Sequence, residues 1–120
     1  MKMEALHGGK HLRIYDKEMK IDVHNPRRCE LTGAFNTKLD PVEVTHIDAS
    51  GMGGRDSVHN IENLVCLVRS AHTFFGDKTE FKDFLHDVHD YYRLTGTPYV
   101  EDYRFHPIVQ LYLNKVKGVY

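Results

Sequence analysis

Residues 45–72 have the sequence THIDASGMGGRDSVHNIENLVCLVRSAH, and this segment organises the chain. It opens with His46 at the end of an apolar, strand-like run and closes with His72 at the end of a second apolar run. Three of residues 51–54 are glycine, which permits positive φ and close approach of the backbone to a ligand, so these residues form no regular element. The pattern predicts a strand, a loop and a short helix that return two imidazoles, 26 positions apart, to one site.

A chain of 120 residues is long enough for one domain, which buries roughly two thirds of the surface that its unfolded chain exposes. Two cysteines, Cys29 and Cys66, are too few for a disulfide framework or a four-thiolate zinc site, so we expect free thiols in a reducing compartment. No apolar run approaches the length of about 18 residues that a membrane span needs, and the polar start MKMEALHGGK lacks a signal-peptide core. We therefore expect a soluble, cytoplasmic protein without membrane contact.

The net charge of −1 gives the chain no global attraction to nucleic acid. The charge is uneven, at +2 for residues 1–40, −3 for residues 41–77 and 0 for residues 78–120. The acidic middle third contains the glycine loop and both bracketing histidines, and it suits a cation better than a bare phosphate. A nucleic acid would need local basic contacts as well. The candidates are Arg27, Arg28, Arg55 and Arg69, with His59 from the loop.

The first half of the chain predicts a β-hairpin followed by a short helix. Residues 1–25 are polar, with a few apolar positions, and we expect an irregular arm or one edge strand there. The hairpin runs from about Cys29 to Ile47, and its second strand alternates, with Val42 and Val44 on one face. Asn60 or Asn63 then caps a helix that extends to about residue 74.

The second half of the chain is predicted to be helical. Phe81, Phe84, Leu85 and Val88 recur at spacings of three and four, which predicts a helix over residues 78–94 that packs on the hairpin unit. Gly96 and Pro98 end this helix, and Pro107 opens a short amphipathic one. The fold class is therefore α+β, with an added C-terminal helical segment.

Four motifs in the central segment carry a resemblance to a known family. They are Thr45-His46-Ile47, Gly51-Met52-Gly53-Gly54, Asn60-Ile61-Glu62-Asn63-Leu64 and Arg69-Ser70-Ala71-His72. In this order they resemble the ββα-metal core (His-Me finger) of the HNH endonucleases, over residues 29–92. The continuation Gly76-Asp77-Lys78, with His89, is similar to a phage and bacterial branch of that family. The chain divides accordingly into an N-terminal arm (1–25), an HNH-like nuclease domain (26–95) and a C-terminal helical extension (96–120) on the same domain.

The resemblance implies a metal-dependent DNA endonuclease that hydrolyses phosphodiester bonds in the cytoplasm of a bacterium or phage-infected host. His46 would take the proton of the attacking water, because a neutral imidazole can act as a base near neutral pH. Asn63 would hold the loop and the base in position through backbone hydrogen bonds. His72 would bind a single divalent ion, Mg²⁺, Mn²⁺, Ni²⁺ or Zn²⁺, on the scissile phosphate.

The chain departs from the family pattern at the metal ligands and at the structural zinc. Thr45 stands where relatives carry a His or Asp ligand, and Gly76 where a second helix histidine is usual. His89 or Asp48 would then serve as the second protein ligand beside Thr45 and His72. Many relatives hold a structural zinc with four cysteines. The matching positions here are Cys29, Thr32, Val68 and Ala71, so we expect no structural zinc and apolar packing in its place.

Two other functions stay open at this stage. The first is an HNH-like module that has lost efficient catalysis and binds nucleic acid or a protein partner, which Thr45 and the near-zero net charge favour. The second and weaker one is a metal-binding protein without a nucleic-acid role, suggested by nine histidines.

Overall fold

The computed structural model describes residues 9–48, 60–76 and 78–119. In chain order the elements are α1 (Gly9–Glu18), β1 (Val42–His46), a 3₁₀ turn (Ile61–Asn63), β2 (Leu64–Val68), α2 (Arg69–Phe75), a second 3₁₀ turn (Thr79–Phe81), α3 (Lys82–Thr95), α4 (Tyr99–Tyr103) and α5 (Pro107–Val119). The fold class is α+β, as the sequence predicts. Among these helices none is long and apolar enough to cross a membrane.

The two strands form an antiparallel pair, with Val42 opposite Val68 and His46 opposite Leu64. Alternate side chains of a strand point to opposite faces of the sheet. Val44 is buried in a small cluster with Tyr15 of α1, whereas Thr45 contacts α2 on the other face. The sheet is thus covered on one face by α1 and on the other by the C-terminal helices.

The predicted second strand of the hairpin is confirmed as β1, but the expected helix over residues 63–74 is wrong in its first half. Residues 64–68 form β2 and all five are buried. A run of five apolar residues is compatible both with a strand covered on both faces and with a buried helix, so hydrophobic periodicity cannot distinguish them. The helix begins at Arg69 instead, where the Asp40 carboxylate accepts hydrogen bonds from the N–H of Ser70 at 2.9 Å and its hydroxyl at 2.7 Å.

The expected first strand of the hairpin, near Cys29, is also wrong. Residues 28–35 turn back on themselves through a single bridge between Arg28 and Phe35. The N–H of Cys29 donates to the carbonyl of Ala34 at 2.8 Å, and the N–H of Gly33 donates to the carbonyl of Cys29 at 2.8 Å. Gly33 has a φ of +84°. Because Gly33 takes a left-handed conformation, the turn closes too early for a strand to form.

Within the expected N-terminal arm, residues 9–18 form a helix rather than irregular chain or an edge strand. Leu12, Tyr15 and Met19 recur at spacings of three and four and pack against the β1 and β2 side chains of the small cluster. Tyr15 is fully buried. The sequence alone does not separate a helix from a strand here, because Leu12, Ile14 and Tyr15 also have the close spacing of a short strand.

The main core lies between the other face of the sheet and helices α2, α3 and α5. Phe75 of α2 stands at its centre, with ring centroids 5.1 Å from Phe81, 5.4 Å from Phe84 and 5.6 Å from Tyr112. The predicted packing of α3 is confirmed, and α3 ends at Gly96 with φ of +70°. The same core contains Cys29, Val68 and Ala71, so apolar packing joins these three positions.

Candidate functional site

The end of β1 and the first turns of α2 bring Thr45 and His72 together. The Thr45 hydroxyl lies 3.1 Å from Nε2 of His72. The sequence achieves this because β2 pairs with β1 and α2 begins without a linker, so the helix starts beside the strand. Both residues line a narrow cleft, and the His72 side chain is 37% exposed. The predicted meeting of Thr45 and His72 is therefore present.

Glu43, two residues before Thr45 on the same strand face, holds the other side of the His72 ring. Nδ1 of His72 donates to the Glu43 carboxylate at 2.9 Å, and Arg69 Nε donates to its second oxygen at 3.0 Å. Burial alone would raise the pKa of Glu43, but the hydrogen bonds from His72 and Arg69 outweigh it and hold that pKa below the ordinary value. With Nδ1 protonated, a neutral His72 directs the lone pair of Nε2 into the cleft.

His46 lies on the opposite face of β1 from Thr45 and packs against α1. Its ring centroid is 4.9 Å from that of His11, with the planes tilted by 38°. His11 Nε2 in turn donates to the carbonyl of Val44 at 3.2 Å. His46 also lines the cleft that contains His72. His46 is half-buried at the strand end.

Asn63 fixes the chain that leaves His46. Its side-chain oxygen accepts the N–H of Asp48 at 2.8 Å, and its amide nitrogen donates to the carbonyl of Asp48 at 2.9 Å. The N–H of Ile47 donates to the carbonyl of Asn63 at 2.8 Å. Asn63 is fully buried, so these bonds are shielded from water. The amide thus joins a backbone donor to a backbone acceptor, the geometry that the sequence predicts for it.

Two lysines supply positive charge to the cleft. Lys78 and Lys82 line it together with His46 and His72. Lys82 Nζ lies 3.3 Å from the carboxylate of Asp48, a predicted metal ligand. The structure therefore places Asp48 at the strand end as expected, with its charge already paired to a lysine.

His89 lies elsewhere, which corrects the expectation that it stands beside His72. It is fully buried, and its Nδ1 donates to Glu30 at 2.8 Å. Glu30, also fully buried, accepts further hydrogen bonds from the Tyr15 hydroxyl at 2.5 Å and the N–H of Cys66 at 3.1 Å. The three donors compensate the burial of the carboxylate. The resemblance of Gly76-Asp77-Lys78 to one branch of the family implied a ligand at His89, but its ring turns into the core.

The residues in the cleft fit one part of a divalent metal site. A ligand histidine usually donates its second ring N–H to a carboxylate, and the pair of His72 and Glu43 has this arrangement. Thr45 adds one neutral oxygen. In residues 9–48, 60–76 and 78–119, no group of three or more His, Cys, Asp or Glu side chains is placed to hold a metal ion. An ion here would take most of its ligands from water and from a bound phosphate.

The predicted nucleic-acid contacts have different surroundings. Arg27 makes two hydrogen bonds to the Asp16 carboxylate, at 2.7 and 2.6 Å, and Arg69 is paired with Glu43. Arg28 lies in a separate basic cleft. Arg55 and His59, with the glycine loop of residues 51–54, lie outside the described residues.

Sequence reasoning missed Glu43 and His11. Glu43 had a usable signal, since an acid two positions before Thr45 must share its strand face. His11 had no such signal, because its contact with His46 depends on α1, a helix that the sequence did not predict.

A scan against protein-family models and searches of curated proteins and of solved structures returned no match to this chain.

Proposed function

We propose that this protein is a metal-dependent DNA endonuclease of the HNH type with a ββα-metal core. The observation that carries the proposal is the order of elements around one cleft. A strand ends in Thr45-His46, an antiparallel strand returns, and a helix follows at once to place Nε2 of His72 3.1 Å from Thr45. The chemistry would then be hydrolysis of a phosphodiester bond.

In the proposed reaction His46 takes a proton from water as the water oxygen attacks phosphorus. A new P–O bond forms, the bond to the departing sugar oxygen breaks, and that oxygen gains a proton from solvent. Asn63 holds the strand end that carries His46, because its amide fixes both backbone groups of Asp48. Lys78 and Lys82 line the same cleft and would add positive charge near a bound phosphate.

His72 would hold the divalent ion through Nε2, with Glu43 maintaining the tautomer that leaves this nitrogen unprotonated. Thr45 contributes a hydroxyl, and Asp48 could contribute its carboxylate if it left Lys82. His89 is not included, since it is buried against Glu30. The ion would neutralise charge on the phosphate and on the departing oxygen.

One observation favours a second candidate, a module that binds nucleic acid or a protein without efficient cleavage. Thr45 occupies the position beside Nε2 of His72 where a charged ligand would bind a metal more tightly. With so few protein ligands the ion would bind weakly. Weak metal binding would reduce catalysis more than it reduces DNA binding.

Plasmid cleavage with Mg²⁺, Mn²⁺, Ni²⁺ or Zn²⁺, with and without chelator, separates the two candidates. His46→Ala should fold and bind metal like the parent protein, and should lower the rate of cleavage by about 10²–10⁴-fold, the usual contribution of a general base. His86→Ala, which removes a half-buried histidine of α3, is the matched control and should cut normally.

Equal rates for His46→Ala and the parent protein would reject the assignment of His46. Absence of cleavage with every ion, combined with retained DNA binding, would replace the nuclease by the binding module.

A further inference from the structure

A second cleft, of about 520 Å³, lies between the chain that follows α1, the turn of residues 28–35 and the end of α3. Its volume falls within the range of roughly 300–1,000 Å³ typical of ligand sites. No residue that lines it also lines the cleft of His46 and His72. The side chains that define it are Lys20, His24, Arg28, Phe35, Tyr92 and Arg93.

The charge in this second cleft is unbalanced. Lys20, Arg28 and Arg93 contribute three full positive charges, and Glu18 is the one carboxylate among the lining residues. In the part of the chain that the structure describes, no salt bridge involves any of these three cations. Arg27, by contrast, is next in sequence to Arg28 and is fully engaged by Asp16. Like charges that line one cleft without a paired carboxylate repel each other, and a bound anion would relieve that repulsion.

The cleft also presents an aromatic ring to solvent. Phe35 is 51% exposed, and the guanidinium carbon of Arg28 lies 4.7 Å from its ring centroid. Arg28 Nε donates to the carbonyl of Gly33 at 3.0 Å, which fixes the guanidinium in this position. The ring is thus supported by a cation and remains available for stacking.

We propose that this second cleft binds single-stranded nucleic acid. Phosphates would lie against Arg28, Arg93 and Lys20, and one base would stack on Phe35. Basic grooves with exposed aromatic rings are the usual means of holding single strands, because every base offers a flat face. An isolated phosphate would contact the three cations but would make no stacking contact with Phe35. This proposal does not depend on the nuclease activity of the first cleft.

The test is fluorescence anisotropy of a labelled oligothymidylate in EDTA, so that no metal at the first cleft contributes. Arg93→Ala should weaken binding about three- to tenfold and reduce the slope of log affinity against log salt by about 0.7, the value for one phosphate on a single strand. Phe35→Ala should weaken binding about fivefold or more through lost stacking. Both side chains are exposed, so both variants should fold, which circular dichroism verifies.

Two matched controls remove the same chemistry elsewhere. Arg13→Ala removes an exposed arginine of α1, and Phe105→Ala removes a phenylalanine that is 83% exposed. Both should bind like the parent protein. Equal weakening by Arg13→Ala and Arg93→Ala would overturn the proposal in favour of diffuse charge attraction. Unchanged binding in Phe35→Ala, or preference for duplex over single strand, would overturn it as well.

Competition with inorganic phosphate and with thymidine monophosphate distinguishes a phosphate site from a site for a nucleic-acid strand. If inorganic phosphate competes as strongly as thymidine monophosphate, the proposed stacking of a base on Phe35 would be overturned. The anisotropy measurement in EDTA contains no cleavage step, so a negative cleavage experiment leaves this test intact.

Discussion

Two histidine–glutamate pairs in this protein have nearly the same geometry and opposite surroundings. Nδ1 of His72 lies 2.9 Å from Glu43, and Nδ1 of His89 lies 2.8 Å from Glu30. The first pair is open, with side-chain exposures of 37% and 29%, whereas both side chains of the second are fully buried. The same hydrogen bond between Nδ1 and a carboxylate can therefore leave Nε2 available to a ligand at an exposed site, or can join elements of the core at a buried one.

The buried pair has a wider structural role. Glu30 connects Tyr15 of α1, the backbone of β2 at Cys66 and His89 of α3. His89 Nε2 is buried without a hydrogen-bond partner in the described part of the chain. The His89 side chain is fully buried, so its role lies in the contact with Glu30 and not in chemistry on a substrate.

The largest expected effect tests this division through stability. Glu30→Ala should lower the free energy of unfolding by about 3–5 kcal/mol, because it leaves the donors of Tyr15, Cys66 and His89 buried without their acceptor. Glu43→Ala, the matched change in the open pair, should cost less than about 1 kcal/mol. Urea denaturation of both variants measures the difference. If Glu30→Ala yields no folded protein, Glu30→Gln gives a second measurement, and a loss no larger than that of Glu43→Ala would contradict the division.

The next effect tests the proposed metal binding at the open pair. Glu43→Gln should weaken metal binding about 10- to 100-fold, as loss of the carboxylate behind a ligand histidine usually does. His72→Ala should weaken it at least as much. Calorimetric titration with Mn²⁺ or Zn²⁺ measures both variants, with Glu62→Gln, an exposed acid of the 3₁₀ turn before β2, as control. Unchanged affinity in His72→Ala would show that this histidine is not a ligand.

The buried groups around Glu30 should also make the fold sensitive to alkali. Burial, and then the charge of Glu30, raise the pKa of the Tyr15 hydroxyl far above its ordinary value, and burial raises that of the Cys66 thiol. Raised values mean that stability is complete below the pKa of each group in the unfolded chain, about 8.5 for cysteine and 10 for tyrosine, and falls as the pH rises beyond it.

Each group can cost up to about 1.4 kcal/mol per pH unit above that point. Thermal melts from pH 7 to pH 11 should show this decline. The Cys66→Ala variant should lose the part that begins near pH 8.5, and Tyr15→Phe the part that begins near pH 10. A decline of the same size in all three proteins would remove both groups as its cause.

What the sequence could predict follows from how local each signal is. The alternation of Val42 and Val44 and the helical spacing of Phe81, Phe84 and Leu85 are properties of single segments, and both predictions are confirmed. The resemblance, and not a local pattern, implied a role for Asn63 in backbone hydrogen bonding, which its amide allows because it both donates and accepts. The strand of residues 64–68 could not be separated from a helix, since five adjacent apolar residues carry no period.

The partners of the two histidines were beyond the reach of sequence spacing. His89 and Glu30 are 59 positions apart, and His72 and Glu43 are 29 apart. Only the assembled core decides that one ring turns inward and the other faces a cleft. Thr45 and His72 do lie side by side, and it is the resemblance that relates these two distant positions, which composition and periodicity could not do.

The smallest expected effect sharpens the comparison at Thr45. Thr45→Asp would place a carboxylate beside Nε2 of His72 and two residues from Glu43 on the same strand face. Without metal, repulsion between the carboxylates should lower stability by less than about 1 kcal/mol. With metal, the added charge should tighten binding about three- to tenfold, because ligand charge sets affinity at oxygen-rich sites. The melting temperature of Thr45→Asp should therefore lie below that of the parent protein in EDTA. It should rise more steeply with added Mn²⁺, because binding to the folded state stabilises that state.

Thr73→Asp adds the same charge to an exposed position next to His72 and should show neither change. If Thr45→Asp responds to Mn²⁺ as Thr73→Asp does, Thr45 and His72 do not share an ion, and the open pair would be another structural contact like the buried one.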